Sequence, residues 1–196
     1  MTVACNTPRT TYPLLIQIIH WITALAVIAA WCLALVVDDM PKGPERIQLI
    51  MIHKSIGVSV LALTMIRLVA RHIMPLPPLP ATMPKLMVFA ALSVHALLYF
   101  LLLALPIVGI IMSWSAGRPV ALWGLTLPTL MGPDKGLNEI MKETHEILAN
   151  GILGLAFLHV AASIYHQFWL KDGIMARILP CSNCRKNCSQ SSATAE

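Results

Sequence analysis

Four apolar stretches, about residues 14–37, 47–70, 86–113 and 146–170, divide the chain. Each is near or above the ~20 residues that cross a bilayer as helix. Composition agrees, with 57% apolar residues, 12% charged and a mean hydropathy of +0.73 over 196 residues, outside the range of ordinary soluble domains. What lies between the stretches is short loops, a brief N-terminal arm and a polar tail, too little for a separate soluble active site. The expected fold is therefore all-α, an integral membrane four-helix bundle over residues 1–180. A polar cysteine-containing tail, 181–196, is expected to be disordered.

Loop charge sets the expected orientation. The N-terminal arm, the second connection and the tail carry eight Lys and Arg against two acids, whereas the first and third connections and the outer helix ends carry six against seven. Both termini are thus expected in the cytoplasm of a multi-pass protein of the bacterial inner membrane. The sequence pI of 9.1 then reflects this asymmetry and attraction to anionic membrane lipid, with no nucleic-acid face. MTVACNTPRTTYP has one basic residue and no small-residue cleavage site, so no secretory signal is expected. Cys5, Cys181, Cys184 and Cys188 fall on the cytoplasmic side and Cys32 within a span, so free thiols are expected.

The connection MPLPPLPATMP is proline-dense and reads as an extended strap. The longest connection, SWSAGRPVALWGLTLPTLMGPDKG, carries Trp114 and Trp123 and is expected over the outer face at headgroup level.

Six of the seven histidines, His20, His53, His95, His145, His159 and His166, lie in or at the edge of predicted spans. Ionisable groups are rare there and tend to mark function. A single one needs no function, since an imidazole can simply hydrogen-bond a neighbouring helix for about 1 kcal/mol. Spacing argues for more. His145 and His159 are 14 residues apart, which returns them to within roughly 40° of one helix face and about 21 Å apart along it. The first two spans run antiparallel, so His20 lies toward the inner side with His159, and His53 toward the outer side with His145.

Two facing pairs of neutral imidazoles suit two bis-His iron porphyrins held edge-on between helices. A copper or zinc transport site is the rival, although two imidazoles leave a tetrahedral ion short of ligands. Small residues Ala24, Gly57, Ala149 and Ser163 follow the four histidines by one turn and leave room for a flat macrocycle. Arg67, 14 residues after His53, and Arg71 one turn on are candidate propionate partners, or they snorkel to lipid phosphates. His166 lies seven residues beyond His159 on nearly the same face, so spacing leaves either as the inner ligand. His95, with Tyr99 one turn on, lacks a level-matched partner and is a candidate quinone or propionate contact, as is His166.

HEILA at His145 misses the zinc-protease pattern because Ala149 stands where a second His is required. CSNCRKNC has three cysteines and no following His, so it is neither a four-thiolate site nor a haem-attachment motif.

Taken together, QIIHWITALAVIAAW, MIHKSIGVSVLALTMIRLVAR, LWGLTLP and THEILANGILGLAFLHVAASIYHQFWLKDG with RILP resemble the bacterial cytochrome b561 family, in particular its superoxide oxidase branch, over nearly the whole chain. The resemblance implies two b-type haems, with His20 and His159 as the inner axial ligands and His53 and His145 as the outer ones. It also implies oxidation of superoxide at the outer side and reduction of ubiquinone, with no general base or nucleophile required. Lys54, Arg118, Lys135 and Lys142 are candidates for drawing the anion in, set against nearby acids that nearly cancel them. The tail CSNCRKNCSQSSATAE departs from the family. Two other functions compete: a cytochrome subunit relaying electrons from a partner dehydrogenase or hydrogenase, and a non-enzymatic membrane metal or haem binder.

Overall fold

A computed structural model of the chain describes residues 11–78 and 83–179. Four long helices dominate: α1 (Leu14–Asp39), α2 (Pro44–Ile73), α3 (Lys85–Ser115) and α4 (Lys135–Tyr165). Each is long and apolar enough to cross a membrane, so the all-α four-helix membrane bundle is the observed fold.

The helix ends lie where local chemistry puts them. Pro44 opens α2, where its missing N–H costs nothing, and Glu45 in the first turn with Arg71 and His72 in the last complement the helix dipole. Asp134 caps α4, its carboxylate accepting from the Leu137 N–H at 3.0 Å. That cap explains why α4 begins eleven residues before the apolar stretch that announces it: the intervening turns carry Lys135, Glu139, Lys142 and Glu143 and are helical without being hydrophobic. At its far end α4 runs into a π-helical turn, His166–Leu170, and stops at Lys171 in the left-handed conformation, φ 52°.

Packing inverts the water-soluble pattern. Leu25, Leu86 and Phe157 are 66%, 78% and 77% exposed on the bundle's outside, a surface made for lipid rather than water. Thr23, Ser55, Thr64, Ser113 and Ser115 are buried. Thr23 and Thr64 donate to carbonyls one turn back, Ile19 and Val60, both at 2.7 Å, and their small side chains let helices approach. α1 packs on α2, α2 on α3 and α3 on α4, while α4 has no comparable packing against α1 or α2. A slot therefore runs between α4 and the α1–α2 pair.

The longest connection is more ordered than its composition suggests. Val120–Leu122 (β1) and Leu125–Leu127 (β2) pair antiparallel, with Leu122 opposite Leu125. The two-residue turn between them, Trp123–Gly124, has φ of 47° and 93°, the both-positive geometry that suits the twist of a tight hairpin. The hairpin lies along α2 rather than above the helix ends. Ser55 Oγ donates to the Ala121 carbonyl at 3.2 Å, and the Trp123 indole N–H donates to Ser59 Oγ at 3.0 Å, about halfway down α2. At the opposite end of the bundle, the segment after α4 folds back over the start of α1. The Tyr12 amide donates to the Arg177 carbonyl at 3.0 Å, the Trp21 indole donates to the Ile178 carbonyl at 3.1 Å, and Arg177 reaches the Pro78 carbonyl at 2.6 Å.

Cys32 is a free, exposed thiol on α1. Cys5 and the three cysteines of the tail lie outside the described residues, as does the centre of the proline strap.

Candidate functional site in the slot beside α4

The slot holds histidines at two levels. Toward one end, His20 of α1 faces His159 of α4 with ring centroids 6.5 Å apart and planes at 75°. Toward the other, His53 of α2 faces His145 of α4 at 6.4 Å and 70°. Both pairs anticipated from spacing are thus brought together, each half-buried and each reaching across from helices that do not pack on one another.

The separation suits a shared metal. Two imidazoles on one metal, with metal–nitrogen bonds of about 2.0 Å and nitrogen about 1.15 Å from each ring centre, have centroids about 6.3 Å apart. Both pairs match the spacing of a shared axial metal. Among the described residues no group of three or more His, Cys, Asp or Glu side chains converges as a metal cage, which is what a zinc or copper site requires.

Local contacts orient the rings. His53 Nδ1 lies 2.9 Å from the Ala30 carbonyl, which only accepts, so Nδ1 carries the proton and Nε2 is free to coordinate. His145 sits against Gly109 of α3, where a β-carbon would come within 3.0 Å of its Cε1 and 3.3 Å of its Nδ1. An alanine at 109 would press on the ring, which would have to give by a few tenths of an ångström. At Gly57, by contrast, a β-carbon would meet no atom within 4 Å, an open space one turn from His53.

Unsatisfied polar atoms fall at the same two levels. Gln17 Oε1, Arg67 Nε and Trp114 Nε1 are buried without a hydrogen-bond partner among the described residues, while the His145 ring has the Leu105 carbonyl beside it. Gln17 precedes His20 by one turn, and Trp114 follows Ser113, the α3 residue whose hydroxyl accepts from Lys54 at 2.7 Å. Buried orphans are costly, about 1–3 kcal/mol each, and the two donors among them, Arg67 Nε and Trp114 Nε1, suit a ligand with carboxylate edges. An iron porphyrin with carboxylate side groups fits.

The remaining candidates divide. The Arg67 guanidinium lies 5.5 Å from the centre of the Tyr99 ring on α3, and Arg71, one turn further on, is half-buried. His95, which spacing left without a partner, has its ring 5.2 Å from His159. His166 turns away from the slot: its Nδ1 pairs with the Asp172 carboxylate beyond the π-helical turn. The structure therefore sets His159, and not His166, opposite His20. Lys54 donates to Ser113 Oγ at 2.7 Å and to the Pro119 carbonyl at 2.9 Å. Spacing alone did not reveal Gly109 or Gln17; a lone glycine inside an apolar span was the only sign of the first.

Comparison with known proteins agrees with this geometry. The sequence model described as prokaryotic cytochrome b561 matches residues 11–180. The chain is 32% identical over 162 residues to a Yersinia pestis protein described as probable superoxide oxidase CybB, covering 83% of this chain and 92% of that one. It is 30% identical over 183 residues to cytochrome b561 homolog 2 of Escherichia coli, covering 89% and 93%. With cytochrome b561 homolog 1 of the same organism it shares 28% over 163 residues, covering 83% and 93%. The chain belongs to the prokaryotic cytochrome b561 family, multi-pass membrane proteins that bind b-type haem and transfer electrons.

Proposed function

We propose that the protein is a di-haem superoxide:quinone oxidoreductase of the bacterial inner membrane. His20 and His159 hold the haem nearer the cytoplasm, His53 and His145 the haem nearer the periplasm, and both termini are cytoplasmic. The observation that carries this reading is the pair of metal-spaced imidazole couples at separate depths, 6.5 Å and 6.4 Å between centroids. The superoxide and ubiquinone assignments draw on the similarity to the probable superoxide oxidase of Yersinia pestis.

The haems supply one-electron redox chemistry, and the chain supplies binding, orientation and charge. Two superoxide ions each lose an electron and leave as dioxygen, and one ubiquinone takes up the two electrons and two protons to become ubiquinol. His20, His53, His145 and His159 would hold the haems through their ring nitrogens, and the haems would supply the one-electron acceptor for superoxide. Lys54 is adjacent in sequence to His53, and its partners are a hydroxyl and a carbonyl, with no carboxylate within ion-pair distance among the described residues. Its charge therefore remains available to draw the anion toward the outer pair. Arg118, whose carbonyl accepts from Ser113, adds to that charge, and Lys135 and Lys142 lie further along α4.

At the inner level Arg67, held over Tyr99 with its Nε unpaired, and Arg71 are the partners for haem propionates. His166, paired with Asp172 beyond the end of α4, is the candidate contact for the quinone head group, and His95 lies against His159 at the inner level.

The test is to add superoxide to the purified protein with and without a soluble ubiquinone analogue and follow haem reduction, quinol and dioxygen. Haem reduction by superoxide, reversed by quinone with one quinol per two superoxide consumed, is the expected result. Haems that superoxide leaves oxidised would instead favour a subunit that relays electrons from a partner dehydrogenase or hydrogenase.

A further inference from the structure

A metal-bound imidazole has a second ring nitrogen whose N–H needs an acceptor, and that acceptor fixes the ring and makes it a stronger donor to the metal. His53 has one in the Ala30 carbonyl. His159 has no side-chain hydrogen bond to a carbonyl or carboxylate among the described residues. What lies against it is the ring of His95, from α3, with centroids 5.2 Å apart and planes at 80°.

The protonation of His95 is fixed by its own helix. Its Nδ1 is 2.6 Å from the Ala91 carbonyl, one turn back. A carbonyl only accepts, so Nδ1 carries the proton and Nε2 presents a lone pair. The ring separation then decides what the lone pair does. An N–H···N bond of about 2.9 Å between two imidazoles places their centroids about 5.1 Å apart, whereas a metal between them requires about 6.3 Å. The observed 5.2 Å is an edge-to-face contact close to the first value, from which a small ring rotation makes the bond, and the 6.5 Å to His20 is close to the second.

We propose that His95 is a positioning residue for the inner haem ligand: His159 donates its second ring N–H to His95 Nε2, and the chain of bonds ends on the Ala91 carbonyl. This rests on His20 and His159 being the inner axial ligands. An acceptor on the ligand's N–H pushes electron density toward the iron and favours its oxidised form. His95 therefore lowers the reduction potential of the inner haem relative to an inner site without it. The outer haem, whose His53 leans on a backbone carbonyl, does not depend on this side chain.

Redox titration of the full-length protein, without superoxide or quinone, tests this. His95→Phe keeps an aromatic ring and removes the acceptor, and His95→Gln keeps an acceptor oxygen. The expected result is that His95→Phe retains two haems and its inner haem becomes easier to reduce by about tenfold in the equilibrium, or about 59 mV for one electron. The outer haem should be unmoved and His95→Gln intermediate. An inner haem at its original potential in His95→Phe would reduce the contact to packing and overturn the proposal. If His95→Phe sheds the inner haem, His95→Gln decides: haem retained at a raised potential supports the acceptor role, and haem lost in both contradicts it. Failure of the underlying assignment shows separately, as an inner haem that survives His20→Ala with His159→Ala.

Discussion

Lys54 illustrates how far one side chain's surroundings constrain its role. Its ammonium is anchored by neutral acceptors at 2.7 Å and 2.9 Å, beside the histidine of the outer pair. Were it only a fold contact, replacement would change stability and leave kinetics alone. The account expects Lys54→Gln to slow superoxide oxidation by about tenfold at low ionic strength, with the gap to the unmodified protein closing as salt rises. Stopped-flow rates at two salt concentrations read this directly, and a salt-independent deficit would assign Lys54 to structure instead. His166 makes the complementary point. Spacing put it on nearly the same face as His159, but its side chain pairs with Asp172, beyond the π-helical turn that ends α4. Helical spacing from His159 does not anticipate that pairing, because Asp172 lies past the end of the helix.

At the level of helices and loops, α3 donates none of the four paired histidines, yet it shapes both levels. It brings Gly109 against His145, and it carries His95 and Tyr99 to the inner pair. Gly109→Ala should displace the His145 ring, cost about 1–3 kcal/mol and lower occupancy of the outer haem while sparing the inner one. Haem content and thermal unfolding of the variant check both parts. The hairpin is the other element with a function in packing. Its turn holds Trp123 at φ 47°, a strained value for a tryptophan, and the bonds to Ser55 and Ser59 offset that cost. Ser59→Ala should destabilise the hairpin by about 1 kcal/mol and raise amide exchange across residues 120–127, with the helices unaffected.

For the molecule as a whole, much of the architecture was legible because a bilayer leaves so few options. Twenty-residue apolar runs can only be helices there, and an imidazole in such a run is conspicuous. The same physics explains what stayed hidden. Hydropathy marks where a helix is apolar, so it missed the charged opening turns of α4 that Asp134 caps. Short hairpins such as β1–β2 leave a two-residue signal, Trp123–Gly124, within a loop otherwise read from its tryptophans. Contacts such as Gly109 with His145 and His95 with His159 depend on how α3 is rotated, which a nearly uniformly apolar helix does not encode. The two-level stacking of the pairs is the claim on which the functional account stands. Its most direct measurement is haem bound per polypeptide, by pyridine haemochrome and protein mass, in the purified protein and two double variants. The account predicts two haems for the unmodified chain and one each for His20→Ala with His159→Ala and for His53→Ala with His145→Ala, the two survivors differing in spectrum. A chain that purifies without haem, or a double variant that still binds both, would contradict it.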